Sequence, residues 1–191
     1  MNRADQNVLG SVNIPGVIAG MMTLILPFLG AWWHLTIGVD AIVVNASPFE
    51  VRTIILGNGV TSPLFEWFCL GLKLGVMYLG VLLIAGSALP AMGQSEGIAR
   101  IFIRFASKKL FWLVLIFVAS LIIFIALANQ SATILPFQVH LPYLVGTKTV
   151  SANMENMSIT VPISMKLTSA FGVAVVAAII GIYSRITQKN M

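Results

Sequence analysis

Apolar residues fall in blocks along this chain, and between the blocks the pattern changes period. Stretches without a charged residue run over 6–39, 74–95, 110–147 and 167–184, each at least 18 residues long. A helix needs ~20 apolar residues to cross a hydrocarbon core of ~30 Å, so the blocks predict four spans, at about 14–33, 70–90, 110–128 and 167–183. The segments between them, about 34–69 and 129–166, read differently. Over 158–164, Ile159, Val161 and Ile163 alternate with Ser158, Thr160, Pro162 and Ser164. Over 135–141, Leu135, Phe137, Val139 and Leu141 alternate with Pro136, Gln138 and His140. Period two is the mark of strands. The segments 40–45 and 49–56 are rich in β-formers, and 143–150 is a further strand candidate. Asn45-Ala46-Ser47-Pro48 and Asn58-Gly59 predict turns between them. Four or five short strands from two loops predict one small sheet. Pro136 and Pro162 lack a donor, which places their strands at edges or bulges. An apolar edge also invites a partner strand.

Composition agrees with a membrane chain. Hydrophobic residues make up 58% and charged residues 9%, where a soluble domain carries roughly 25% charge. This excludes a cytosolic enzyme and a disordered tail. The pI of about 9.7 does not point to nucleic acid, because the charge is distributed by side of the membrane. The termini and the short connection at 91–109 hold Arg3, Arg100, Arg104, Lys108, Lys109, Arg185 and Lys189 against Asp5 and Glu96. The two long loops and adjoining helix edges hold Arg52, Lys73, Lys148 and Lys166 against Asp40, Glu50, Glu66 and Glu155, which balance. Basic excess marks the cytoplasmic side, so a plasma-membrane protein with both termini inside is expected. Trp32, Trp33 and Trp67 would form an outer aromatic belt, and Trp112 and Tyr183 an inner one. No small-x-small cleavage site follows the first block, so it is expected to remain a span.

Small residues predict where the helices meet, since lipid supplies little hydrophobic drive between them. Gly16 and Gly20, Gly71 and Gly75, Gly80, Ala85 and Gly86, and Ala170, Ala174 and Ala178 mark the first, second and fourth spans. The third is nearly all large apolar residues and is expected to face lipid or a partner. Pro27 should kink the first span. In 98–109, Arg100, Arg104 and Lys108 recur every four residues opposite Ile98, Phe102 and Phe105. This predicts an amphipathic helix with Arg100, Arg104, Lys108 and Lys109 at lipid headgroups.

Candidate chemistry is sparse. His34 and His140 are the histidines; neither belongs to a ligand pair, and a metal site would need one of them joined by Asp40, Glu50 or Glu66. No phosphate loop, nucleophile elbow or redox cysteine pair is present, so no cofactor and no catalytic residue is assigned. Lys73 is the one charge near a span; it lies within snorkelling reach of the interface, with Glu66 seven residues earlier as its expected ion-pair partner. Asn45, Asn129 and Asn156 each begin a glycosylation sequon. Cys69 stands alone, so the outer loops carry no disulfide.

These readings converge on a membrane all-α four-helix bundle with a small extracellular β-sheet cap formed by the two outer loops. That layout is similar to the claudin-like four-helix proteins, in which a long β-rich segment also follows the first span. The claudin signature of Trp, Gly-Leu-Trp and two Cys in the first outer loop is absent, so the resemblance covers topology alone. The expected function is non-enzymatic: assembly through the outer cap, as a homo-oligomer or with other membrane subunits. The alternatives are an accessory subunit of a respiratory or transport complex and an oligomeric channel.

Overall fold

The computed structural model describes residues 12–93, 96–131, 141–142, 144–154 and 157–190. Among the described residues the chain is mostly helical, with four α-helices, three of them long and apolar enough to cross a membrane, and one small antiparallel sheet.

The first helix, α1, runs Ile14–Ile25 over 12 residues and tightens into a 3-10 turn at Leu26–Phe28. Its start is set by Asn13, whose side chain accepts from the Gly16 amide at 3.2 Å, and by Pro15 in the first turn. Ile14, Ile18, Met21, Ile25 and Phe28 form one exposed stripe, while Gly16, Ala19, Gly20, Thr23 and Leu26 are buried. The 14–33 span is therefore corrected. Helix and turn together reach roughly 24 Å, short of the ~30 Å core. Pro27 does not kink a longer helix; it lies in the turn that ends this one, because it offers no amide to continue the ladder.

Helix α2 runs Pro63–Ala88 and closes in a 3-10 turn at Leu89–Met92, with Gly93 in the left-handed region at φ 70°. Helix α3, Glu96–Ser131, is 36 residues, about 54 Å long at 1.5 Å per residue. It joins the basic segment at 98–109 and the apolar stretch at 110–128 into one rod. Helix α4 is Ser169–Asn190.

The chain divides into two compact units. The first contains the described parts of Met1–Leu29, Gly71–Leu115 and Gly172–Met191. Close backbone approach holds it together. A Cβ built on Gly20 would lie 2.9 Å from the Gly80 carbonyl oxygen, and one on Gly80 would lie 3.0 Å from that of Gly20. A Cβ on Gly86 would meet Ile103 and Phe102 at 3.0 Å. Gly71, Gly75 and Gly172 have nothing within 4 Å, whereas a Cβ on Gly16 would collide with the Ser87 and Ser184 hydroxyls, so the small-residue reading holds for Gly16, Gly20, Gly80 and Gly86 and fails for Gly71 and Gly75. Ala99, Ile103, Ala106 and Leu110 are fully buried, whereas Ile98 and Phe105 are exposed. The buried stripe of 98–109 is thus rotated from the one expected, because the bare Gly86 backbone lets Ala99 and Ile103 pack against it.

One end of this unit is fastened by polar groups. Asn13 donates to the Ser184 carbonyl at 2.9 Å and to Gln188 Oε1 at 2.8 Å, and its own amide donates to the Ser87 carbonyl at 3.1 Å. Asn13, Ser87, Ser184 and Gln188 are all buried. The start of α1 therefore lies beside the C-terminal ends of α2 and α4.

The second unit, Gly30–Leu70 and the described part of Ile116–Phe171, contains the sheet. Its strands are β1 Trp33–Ile37, β2 Ile42–Ser47, β3 Glu50–Ile55, β4 Asn58–Val60, β5 Gly146–Met154 and β6 Met157–Leu167, in the order β4-β3-β2-β1-β6-β5. The strand that sequence reading assigned in part to a helix is the central one. β1 pairs with β2 on one side and β6 on the other, so it joins the hairpins of the two long loops into one sheet. Gly30, at φ 83°, gives the backbone its turn out of the helix before the alternation Trp33-His34-Leu35-Thr36-Ile37 begins.

Leu56 and Gly57, with φ 48° and 83°, make the two-residue turn between β3 and β4, as both central positions of a type I′ hairpin need positive φ. Asn58 and Gly59, expected as a turn, are instead strand. The expected strand at 135–141 falls outside the described residues except for Leu141. Pro162 is not on an edge strand. Its carbonyl accepts from Gly38 N at 2.7 Å, next to the last β1–β6 pair, Ile37↔Ile163. A strand residue directs its N and O to the same side, so the missing donor of Pro162 faces the point where β1 turns away.

The apolar face of the sheet is held by rings. Trp32 is fully buried and makes edge contacts with Phe117 at 5.2 Å, Phe49 at 5.5 Å and Phe171 at 6.1 Å between centroids. Trp33 packs on Phe124 and donates to the Leu144 carbonyl at 3.0 Å. Both were expected at a membrane interface; both are core. Trp67, Trp112 and Tyr183 are exposed.

Candidate functional site

The sheet presents two features with recognition chemistry, a polar row and an open edge. The register aligns Arg52, Asn45, His34 and Lys166 side by side across β3, β2, β1 and β6. Residues directly opposite share a face, and this face is the one opposite Trp33, Leu35 and Met165. Arg52 and Lys166 are exposed, and His34 and Asn45 are half-buried. His34 Nδ1 is hydrogen-bonded to Asn45 Oδ1. With the carboxamide oxygen as acceptor, Nδ1 is the donor. The row thus offers two cations at its ends, a ring nitrogen between them and no carboxylate within it.

The edge follows from the ladder. Because Pro162 points toward β1, Ile163 points toward β5, where it pairs with Lys148. The N–H and C=O groups of Thr147, Thr149, Ser151 and Asn153 are then directed away from β6. Among the described residues no strand pairs with that side. The β5–β6 hairpin also extends past its neighbour: β6 pairs with β1 only over Ile163–Leu167, yet pairs with β5 from Met157 onward. Residues 150–154 and 157–161 therefore form a two-stranded arm with both sides open among the described residues. An isolated two-stranded ribbon is marginal in water. The opposite edge, β4, is only 3 residues long, which blunts it.

The remaining expected sites are separated. Glu66 and Lys73 are not an ion pair: Lys73 Nζ lies over the Phe28 ring, 5.6 Å from its centroid, and the ion pair found among the described residues is Arg100–Glu96 at 3.8 Å. The reason is the short α1, which brings Phe28 to the turn of α2 carrying Lys73. Arg104, Lys108 and Lys109 are exposed, with Lys109 Nζ 5.8 Å from the Phe105 ring centroid. Asn45 lies in β2. Asn129 lies in the last turn of α3, where its carboxamide accepts from Leu141 N at 2.6 Å and donates to Leu141 O at 3.2 Å. Asn156 and His140 lie outside the described residues. Among the described residues no group of three His, Cys, Asp or Glu side chains is placed to hold a metal. Cys69 is buried.

Sequence reading missed three things. The Asn13 cluster was hidden inside an uncharged block, β1 straddled the end of an expected span and the loop after it, and the His34–Asn45 pair needed the β1–β2 register. The alternation at 33–37 was the one signal that could have revealed β1. Comparison with protein-family models, curated proteins and solved structures returns no match.

Proposed function

We propose that this chain is a non-enzymatic four-pass membrane protein whose β-sheet lies outside the membrane and mediates assembly, first of all with further copies of itself. The observation that carries this reading is the edge of β5, unpaired among the described residues, with its overhanging arm. A nine-residue strand with four outward-directed residues is a template for strand addition. In this reading the short α1 is a crossing too, with the bilayer thinned locally to meet its length: the Asn13 cluster brings its start to the ends of α2 and α4, and its far end leads through Gly30 into β1. The basic excess of the termini and the 91–109 connection supports a cytoplasmic position for that end.

A second reading, an accessory subunit of a larger membrane complex, is favoured by α3. Ile116, Ile122, Ile123, Phe124 and Leu127 leave it exposed along much of its apolar length, as lipid or a larger neighbour would require.

The test is native mass in mild detergent. Thr149→Pro removes one outward donor while leaving the β5–β6 bonds intact, since Thr149 N points away from β6. Self-assembly predicts several copies in the wild-type particle and a shift toward single chains in this variant, with unchanged melting. Co-purification with larger chains of different sequence would favour the accessory subunit and sink the first reading.

A further inference from the structure

The basic end of α3 carries a more specific inference. Helix α3 has 36 residues, about 54 Å, and its uncharged portion at 110–130 is long enough on its own to fill a ~30 Å hydrocarbon core. The basic residues therefore lie beyond the core in a fixed order along one rod. Lys109 and Lys108 come first, and Arg104 follows five residues from Lys109, about 7.5 Å away. The headgroup layer is roughly 5–8 Å deep on each side, so these three fall within it. Arg100 lies nine residues from Lys109, about 13.5 Å out, and has the Glu96 carboxylate 3.8 Å away.

The surroundings of the three cations fit a lipid interface. Ala99, Ile103, Ala106 and Leu110 occupy the buried side of the helix. Arg104, Lys108 and Lys109 are exposed, and Phe105 and Trp112 are exposed among them. Rings at this depth sit between acyl chains and headgroups, and Lys109 already covers the Phe105 face at 5.8 Å. No acidic residue occurs between Glu96 and Lys148 in the sequence, so nothing on this face of α3 offsets the charge.

We propose that Arg104, Lys108 and Lys109 form a binding surface for anionic phospholipid headgroups, with Phe105 and Trp112 as its apolar floor, and that Arg100 is not part of it. The partner is a lipid leaflet carrying negative charge, recognised by charge density at one depth. This inference is independent of what the sheet binds.

The experiment uses the full-length protein in mild detergent, exposed to equal amounts of phosphatidylglycerol and phosphatidylcholine, with retained lipids counted by native mass. A cation at the surface favours an anionic leaflet by about fivefold. The triple variant R104Q/K108Q/K109Q should lose preference for phosphatidylglycerol on the order of a hundredfold if all three act. Arg100→Gln should keep it, as should R52Q/K148Q in the sheet. Each variant is first checked for unchanged melting; if the triple variant is unstable, the pair K108Q/K109Q replaces it. Equal retention of the two lipids by the wild type overturns the proposal, and so does equal loss in Arg100→Gln. Displacement of the lipid by millimolar inorganic phosphate, or an acidic protein found covering this face, also overturns it.

Discussion

The two units of this chain are held together by opposite means. In the first, glycines let backbones touch: Gly20 and Gly80 approach so closely that a methyl group on either would meet the other's carbonyl. In the second, the largest side chains of the sequence meet: Trp32 is surrounded by Phe49, Phe117 and Phe171. The difference is the one that the proposed placement, helices in lipid and sheet in water, requires. Helices in lipid gain little by burying leucine against leucine, so they rely on close contact and on a few buried polar bonds. A sheet that meets water gains from every apolar Å² it removes, about 25 cal/mol each, and a tryptophan removes the most. The same residue type can therefore be structural in one unit and an interface marker in the other.

The sharpest way to break this contrast is at tryptophan. Trp32→Ala should cost about 3–5 kcal/mol, the range for truncating a large aromatic in a core. Trp112→Ala, in the first unit and at a position 47% exposed, should cost less than about 0.5 kcal/mol. Thermal melting of both variants in one detergent checks the pair. Equal shifts would mean that Trp32 is a membrane anchor after all.

Glycine gives the complementary test. Gly20→Ala places a Cβ 2.6 Å from Ile84 Cγ1 and 2.9 Å from a backbone oxygen that cannot move without its helix. Overpacking of this kind costs about 1–3 kcal/mol. Gly75→Ala meets nothing and should be neutral or slightly stabilising, since alanine is the better helix former. A similar cost at both positions would show that propensity, not close approach, governs this unit.

Asn13→Ala addresses the polar bonds. It leaves the Gly16 amide without its side-chain acceptor and Gln188 without a buried donor. About 1–3 kcal/mol should be lost, and Asn13→Asp should not restore it, because a carboxylate cannot donate to the Ser184 carbonyl. Proteolysis near the C-terminus, compared between wild type and variant, also reads this change, since Gln188 loses its tie to α1.

Particular residues explain what was legible in the sequence. The long helices α2, α3 and α4 and most of the strands could be read because a single period persists over many residues. The pairing partner of β1 could not. Trp33–Ile37 is only 5 residues, it follows a helix without a polar break, and its two tryptophans read equally well as an interfacial belt. What places them in the core is contact with Phe49, Phe117, Phe124 and Phe171, residues up to 139 positions away. Likewise, the spacing of Glu66 and Lys73 fitted an ion pair, but spacing cannot reveal that Phe28 on another segment takes the Lys73 ammonium. The Arg100–Lys109 segment was visible as charge; its division into an inner three and an outer one needed the continuity of α3 from Glu96 to Ser131.

The smallest effect tests the polar face of the sheet. His34 and Asn45 are bonded across β1 and β2 and half-buried, so their link is internal to the sheet, whereas Arg52 and Lys166 beside them are exposed. One neutral side-chain hydrogen bond contributes about 0.5–1.5 kcal/mol. His34→Ala and Asn45→Ala should each lower stability by that amount, and the double variant should cost less than the two together, because the second substitution removes a partner already lost. Arg52→Gln and Lys166→Gln should leave melting unchanged. If either of these two instead reduces the number of copies in the native particle, the row takes part in assembly alongside the β5 edge. If Thr149→Pro alone does so, strand addition carries assembly, and the cations of this face serve only to keep it hydrated.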